Sequence, residues 1–380
     1  MKETIKQLAS YVPPTPTETI AKQYGLSRVA KLSANENPYG TSPKVAAAVV
    51  DAVEQGSGNW YPDGNATELR EMIAQKLAVK AENIVFGCGL DEIITLVSRV
   101  FLESGDEVLV ADPTFSEYGL NAQIEGATVK SVPVDLQSGA NDLNAFLNSI
   151  TPNTKMIWLC NPNNPTGGYN ETAALRDFMT QVPKDVLVLI DEAYIDFVRS
   201  AQPASALPLL EEFDNVAVLR TFSKIYGLAG YRVGYIIVDD QRARYLQTVR
   251  LPYNLNTLSQ VAAQAAFADQ EFVEQVAVKN AQERDKWETF LKQHQVFYYP
   301  SQANFIYFKL PGADQLAKRF LENGYQIRTG FADGWLRVTI GLPNDNLAMQ
   351  QIMADFLIMT SRKSRDFSHG MDRPTMIEYL

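Results

Sequence analysis

Two cysteines, Cys88 and Cys160, are all that the 380 residues contain. A disulfide framework is thereby excluded, and a reducing cytoplasm is the expected compartment. Long apolar runs are missing too. No stretch approaches the roughly 20 residues that a membrane span needs, and the opening MKETIKQLAS lacks the apolar centre of a signal peptide. No membrane partner is expected. Basic charge is in deficit, with 34 Lys and Arg against 44 Asp and Glu, a net −10. Nucleic acid is therefore not expected as the main partner, because a phosphate backbone needs a basic surface. A small anionic ligand remains compatible, since it needs only a few local cations. Repeats and low-complexity segments are absent, and no region reads as broadly disordered.

What the chain has is apolar residues, 46% of the total, enough for one large or two moderate domains. Between about residues 83 and 238, short apolar runs alternate with stretches of helical spacing. Runs at 83–86, 107–111, 129–134, 155–160, 186–190, 216–221 and 233–238 read as strands. Ile93, Ile94, Leu96, Val97, Val100 and Phe101 trace a helix between two of them. This order predicts an α/β fold with a doubly wound, mostly parallel sheet. Before it lies an arm, in which Tyr11-Val-Pro-Pro-Thr-Pro cannot be helical. After it, Phe272, Val276, Trp287, Phe290 and Leu291 fit a long amphipathic helix, followed by short strands and a closing helix over 345–359. The expected division is an arm at 1–40, a large domain at 41–265, a smaller α+β domain at 266–360 that the arm joins, and a polar tail without periodicity at 361–380.

The chemistry concentrates in residues 219–235, LRTFSKIYGLAGYRVGY. A free lysine titrates near ~10.4 and is a poor nucleophile unless its surroundings lower that value. Lys224 directly follows a buried strand, among Thr221, Ser223 and Arg232, with Gly227 and Gly230 permitting close backbone approach. The set suits a phosphorylated carbonyl cofactor, with the phosphate on Thr221, Ser223 and Arg232 and the aldehyde on Lys224. The pattern alone also fits a surface loop lysine. Gly87-Cys-Gly-Leu90-Asp91-Glu92, between strand and helix, offers an anion site of unpaired backbone N–H groups, with the acidic side chains turned away. Asp191 ends the most apolar strand, where open α/β sheets bind ligands. Arg337 and Arg328 lie in the late short strands, where an arginine serves either a carboxylate or phosphate clamp or a surface ion pair.

SKIYGLAGYRVGY resembles the lysine motif of fold-type-I pyridoxal-phosphate (PLP) aminotransferases, and more closely that of the histidinol-phosphate aminotransferase branch. ANENP at 34–38, YPD at 61–63, NPNNPTG at 161–167, PSQANF at 300–305 and LRVTIG at 336–341 follow in the family's order. The resemblance covers roughly residues 5–358. Cys88 and Leu90 depart from the family's GNGSDE, and Pro14 stands where a glycine is usual in Tyr-x-Pro-Gly.

The resemblance implies the fold-type-I architecture, PLP on Lys224 and transamination. Asp191 would partner the pyridine nitrogen, Tyr194 and Asn164 the ring oxygen, and Phe115 the ring face. Leu90 and Asp91 would lie at the phosphate, with Tyr61 reaching it from the neighbouring subunit of a homodimer with shared sites. Tyr11, Asn35, Arg328 and Arg337 would meet the substrates, a phosphorylated amine and a 2-oxo acid. No metal site is implied. Aromatic amino-acid transamination and phosphothreonine decarboxylation remain open, since both use the same cofactor motifs. A PLP-binding transcription regulator would need a DNA-binding module that the short proline-punctuated arm cannot supply.

Overall fold

The structure, a computed structural model, describes residues 3–8 and 13–369. Among the described residues, twelve strands sort into three sheets. They are β1 Ala30–Leu32, β2 Ile84–Cys88, β3 Glu107–Asp112, β4 Thr128–Pro133, β5 Thr154–Cys160, β6 Leu187–Asp191, β7 Val216–Thr221, β8 Val233–Ile237, β9 Phe297–Tyr298, β10 Phe305–Lys309, β11 Tyr325–Ile327 and β12 Trp335–Thr339. The main sheet has the order β2-β8-β7-β6-β5-β3-β4. Its strands run parallel except β8, which is antiparallel to both β2 and β7. A smaller antiparallel sheet has the order β12-β10-β9, and β1 pairs in parallel with β11.

The sheet is covered on both faces because its strands are apolar on both. Met156, Trp158, Leu187, Leu189, Ala217 and Leu219 pack into one cluster with the helix Gly89–Phe101. The alternate residues Ile157, Leu159, Val188, Ile190, Val216 and Val218 pack into another with the helix Thr172–Met179. The two-residue period of a strand sends neighbours to opposite faces, so continuous apolar runs such as LVLI mark a fully buried parallel strand. A third cluster joins β2 and β8 to the helices Thr67–Leu77 and Thr257–Ala268. The small sheets share a separate core with Trp287, Phe320, Met349 and Met353.

Three local readings differ from the sequence expectation. The arm contains a helix, Thr17–Tyr24, with Pro16 at its N-cap and Gly25 at φ 66° closing it. Eight residues give too short an apolar pattern to stand out. Strand β1 was equally hidden, because three residues show no alternation. The last helix runs from Pro343 to His369 rather than ending near residue 359. SRKSRDFSH, at 361–369, has neither Pro nor Gly, so nothing local ends the helix there.

One close approach fixes the arm to the lysine loop. Gly227 has φ 71°, and a Cβ there would lie 1.9 Å from the Gly40 carbonyl oxygen. Gly227→Ala combines a left-handed backbone with an overlap against main chain. It should lose about 1–3 kcal/mol of stability, or more, as a lower urea midpoint at unchanged slope. A midpoint equal to that of the parent protein would disprove the contact.

Candidate active site

Topology brings the candidate residues to one edge of the main sheet. The parallel strands β5, β6 and β7 end there at Cys160, Asp191 and Thr221. The reversed strand β8 begins there, with Val233 opposite Cys88 at the end of β2. Lys224 therefore leaves one strand and Arg232 enters the next on the same side. The helix Gly89–Phe101 starts beside them.

Lys224 is only partly exposed. Its Nζ donates to the Ala34 carbonyl at 2.9 Å and stands 5.7 Å from the centre of the Tyr194 ring. Burial, helped by the nearby Arg337 charge, lowers its pKa to about 8. Asp191 is buried and accepts two hydrogen bonds, from Tyr118 Oη at 2.6 Å and from the Ala193 backbone N–H at 2.9 Å. Burial raises its pKa to about 6 against the pull of those donors. The next residue, Glu192, is also buried and meets Arg220 at 2.7 Å, one residue before Thr221. This ion pair ties the end of β6 to the end of β7.

At the other end of the lysine loop, Ser223 N–H donates to Thr221 Oγ1 at 3.1 Å, and Arg232 Nη1 reaches Ser223 Oγ at 3.4 Å. Arg232 adopts φ 56°, a left-handed conformation that few non-glycine residues take. Its guanidinium occupies the space over Gly89, where a Cβ would lie 2.3 Å from Nη2. Asp91 is not turned away from this group. Its carboxylate lies 3.1 Å from Arg232 Nη2, drawn by the nearest positive charge. Leu90 packs into the apolar cluster beside the helix and offers no polar side chain.

The opposite side of the cluster is built from the arm and the small sheet. Asn35, at φ 58°, donates through Nδ2 to Tyr194 Oη at 3.0 Å. Thr339 Oγ1 and Asn304 Nδ2 hold Asn35 in turn, at 3.1 and 3.0 Å. Arg337 is buried, donates to the Ser33 carbonyl at 2.7 Å and to Asn164 Oδ1, and leaves Nε without a partner among the described residues. Burial lowers its pKa to about 10. Arg328 lies directly opposite Arg337 across an antiparallel bridge, so the two side chains share a face, and it is exposed.

Phe115 is half-buried and meets the Tyr118 ring edge-on at 5.5 Å, close to Asp191's partner. Tyr61 stands apart, 82% exposed and stacked on Tyr253 at 4.7 Å. Tyr11 lies outside the described residues. Sequence reasoning missed Tyr118, the Glu192–Arg220 pair, and the holding roles of Ser33, Asn304 and Thr339. Tyr118 and Asp191 are 73 residues apart, and nothing in either segment announces the other. The arrangement offers an amine of lowered basicity, a buried carboxylate, a cluster of hydroxyls and a guanidinium for a phosphate, and two arginines for a second anion.

Comparison with known proteins places this geometry in context. A family model described as aminotransferase class I and II matches residues 27–350. The histidinol-phosphate aminotransferase of Limosilactobacillus fermentum is 52% identical over 357 residues, covering 94% of this chain and 99% of that protein. That of Lactiplantibacillus plantarum is 51% identical over 356 residues, with 94% and 99% covered. Among solved structures, histidinol-phosphate aminotransferase from Sinorhizobium meliloti in complex with pyridoxal-5'-phosphate shares the fold. It superposes with a TM-score of 0.85 at 24% identity, covering 95% of this chain and 98% of that one. Among the described residues no helix is long and apolar enough to cross a membrane.

The lowered basicity of Lys224 is directly measurable. In cofactor-free protein, peptide-resolved labelling with an amine reagent should give Lys224 a pH midpoint near 8, against the ordinary value of 10.5. A midpoint at the ordinary value would show that burial does not act on the amine.

Proposed function

The chain belongs to the class I and II aminotransferase family, and on that premise we propose that it transfers the amino group of L-histidinol phosphate to 2-oxoglutarate. The products are imidazole acetol phosphate and glutamate, and the step belongs to histidine biosynthesis. The observation that carries this reading is 52% identity, along 94% of the chain, to a protein of that activity. The site supports it chemically. A phosphomonoester and a dicarboxylate are both anions, and Arg337 and Arg328 on one face of the small sheet form a clamp for either.

The cofactor we infer is pyridoxal 5'-phosphate, and the residues present fit it. The donor set of Thr221, Ser223 and Arg232 suits a phosphate. The absence of a side chain at Gly89 is what leaves room for the Arg232 guanidinium. The competing Asp91–Arg232 pair is partly exposed on both sides, so it holds the arginine by only about 0–1 kcal/mol and yields readily to a dianion. The buried Asp191 carboxylate matches a protonated ring nitrogen, Tyr194 and Asn164 match the ring oxygen, and Phe115 matches a ring face. When bound, the cofactor supplies an aldehyde for amines and an electron-poor ring that takes up the electron pair released at the substrate's α-carbon.

The chain's own residues do the remainder. Lys224 would hold the aldehyde, and its Nζ would take the proton from the substrate's α-carbon. A pKa near 8 keeps a substantial fraction of this amine neutral at the pH of the cell. Asp191, anionic above about pH 6, would keep the ring nitrogen charged. Arg337 orients the substrate while its second nitrogen holds the Asn164 amide. Asn35 fixes the Tyr194 hydroxyl.

The working unit we infer is a homodimer with shared sites. Trp60 and Tyr61 are 76% and 82% exposed beside Tyr253 and Leu251, an apolar patch that a second copy would cover. Tyr61 would then reach the partner's phosphate group. A free thiol exposed at Cys88 suits a reducing compartment, and the proposed location is the cytoplasm.

Lys224→Ala should abolish transamination from L-histidinol phosphate. Borohydride reduction of the parent protein loaded with PLP, followed by peptide mapping, should place the label on Lys224, and label on another lysine would overturn the assignment. An amino-donor panel tests the substrate: faster turnover of phenylalanine than of L-histidinol phosphate would replace this reading with aromatic transamination, and CO2 release from phosphothreonine with decarboxylation. Mixing inactive Lys224→Ala with an impaired Tyr61→Ala variant under subunit exchange should restore activity, because one site of each mixed dimer carries neither defect. Activity that stays at the sum of the parents, with exchange confirmed, would sink the shared-site model.

A further inference from the structure

We propose that Tyr118 is a positioning residue for Asp191: its hydroxyl fixes the direction of the buried carboxylate and keeps it ionised for the cofactor's ring nitrogen. The inference rests on the PLP reading above.

Each carboxylate oxygen of Asp191 has a donor of its own. Tyr118 Oη donates to Asp191 Oδ2 at 2.6 Å, and the Ala193 backbone N–H donates to Oδ1 at 2.9 Å. Neither side chain is open to water; Asp191 is 3% exposed and Tyr118 0%. Tyr118 is itself immobilised. Its ring stacks on Trp158 with centroids 4.5 Å apart and planes 10° from parallel, and Phe115 meets its edge. The phenol therefore delivers its one proton along a fixed line, from the helix Ser116–Glu125 to a strand end 73 residues away.

The charges around Asp191 make this donor the one that matters. The groups that face it are Tyr118 from that helix, Cys160 from β5, Glu192 and Tyr194 just after β6, and Lys224 just after β7. Glu192 is held by Arg220. Cys160 is kept a thiol by burial, and its Sγ lies 3.2 Å from the Pro162 carbonyl, which accepts its proton. The Tyr194 hydroxyl is engaged with Asn35. Burial pushes the Asp191 carboxyl up to about 6, and the Tyr118 hydrogen bond heads the influences that oppose it. The Tyr118 phenol is raised well above its ordinary value, so it remains a proton donor throughout. A phenol does this without adding a positive charge that would compete with the ring nitrogen.

Tyr118→Phe keeps the ring and the stack on Trp158 and deletes only the hydroxyl. Spectral titration of the cofactor-free protein with PLP from pH 5.5 to 8.5 measures the effect, with thermal unfolding as a control on the fold. The sign follows from Asp191. Its folded-state pKa rises further in the variant, so the anion is lost at a higher pH. Affinity should be near that of the parent at pH 8.5 and about fivefold weaker near pH 6, approaching tenfold below that, the equivalent of about one unit of pKa. The acid limb of kcat should move upward with little change in KM. In an Asp191→Asn background the same substitution should add almost nothing.

Equal affinity for PLP at every pH overturns the proposal. So does an equal loss at every pH, or a full additional loss in the Asp191→Asn background, because each shows a role in packing alone. A parent protein that fails to bind PLP sinks the cofactor reading itself, whereas one that binds PLP without turning over L-histidinol phosphate sinks only the substrate assignment and leaves Tyr118 to be judged by the titration.

Discussion

The site depends on a seam of polar contacts between main chain and side chains. Residues 34–41, the end of the arm and the residue after it, lie along residues 224–227 of the lysine loop. Lys224 Nζ reaches the Ala34 carbonyl, Asn37 Nδ2 reaches the Ile225 carbonyl at 2.8 Å, and Thr41 Oγ1 reaches the Tyr226 carbonyl at 2.9 Å. Gly40 closes against Gly227. Such groups must find partners when buried, and here each segment supplies them to the other. The arm also carries Ser33, whose carbonyl holds Arg337, and Asn35, which links Tyr194 to Thr339. Through this one seam a lysine on the main sheet and an arginine on the small sheet come to face the same space.

Burial then sets the chemistry of both ends. It acts against charge wherever charge is placed. The amine is lowered to about 8 and the carboxylate raised to about 6, so their ordinary separation narrows from both sides. An amine near 8 can accept a proton at cellular pH, and a carboxylate near 6 can still hold a cation. The neighbouring Glu192–Arg220 pair shows why such a balance survives. A buried pair adds little net stability, but losing one partner costs about 3–5 kcal/mol. The ends of β6 and β7 are therefore locked together where Asp191 and Thr221 stand.

Much of this was legible beforehand, for identifiable reasons. The parallel strands were visible because residues buried on both faces leave an unbroken apolar run, as in LVLI before Asp191. Lys224, Asp191, Asn164 and Arg337 stood out because each sits in a dense local motif. What was hidden depends on partners far apart in sequence or on patterns too short to read. Tyr118 looks like any core aromatic until its hydroxyl meets Asp191. Strand β1 is recognisable only beside β11, to which it is hydrogen-bonded in parallel. The first turn after β2 was expected to keep its carboxylates aside, yet Asp91 follows the charge of Arg232, which a pattern of backbone N–H groups does not encode.

The reversal of β8 has a further consequence, for the order in which the site can assemble. Because β8 returns at once to the edge where β7 ended, Ser223 and Arg232 are only 9 residues apart. On the side of the arm and the small sheet, Arg337 and Asn164 are 173 residues apart. Taken alone, loop closure over the longer span costs about 2–3 kcal/mol more than over the shorter one. The Thr221, Ser223 and Arg232 cluster is thus local, built within one hairpin, whereas the Arg337–Asn164 contact comes into existence only when both sheets are already in place. During synthesis, Thr221, Ser223 and Arg232 have all emerged before Arg337 has been made.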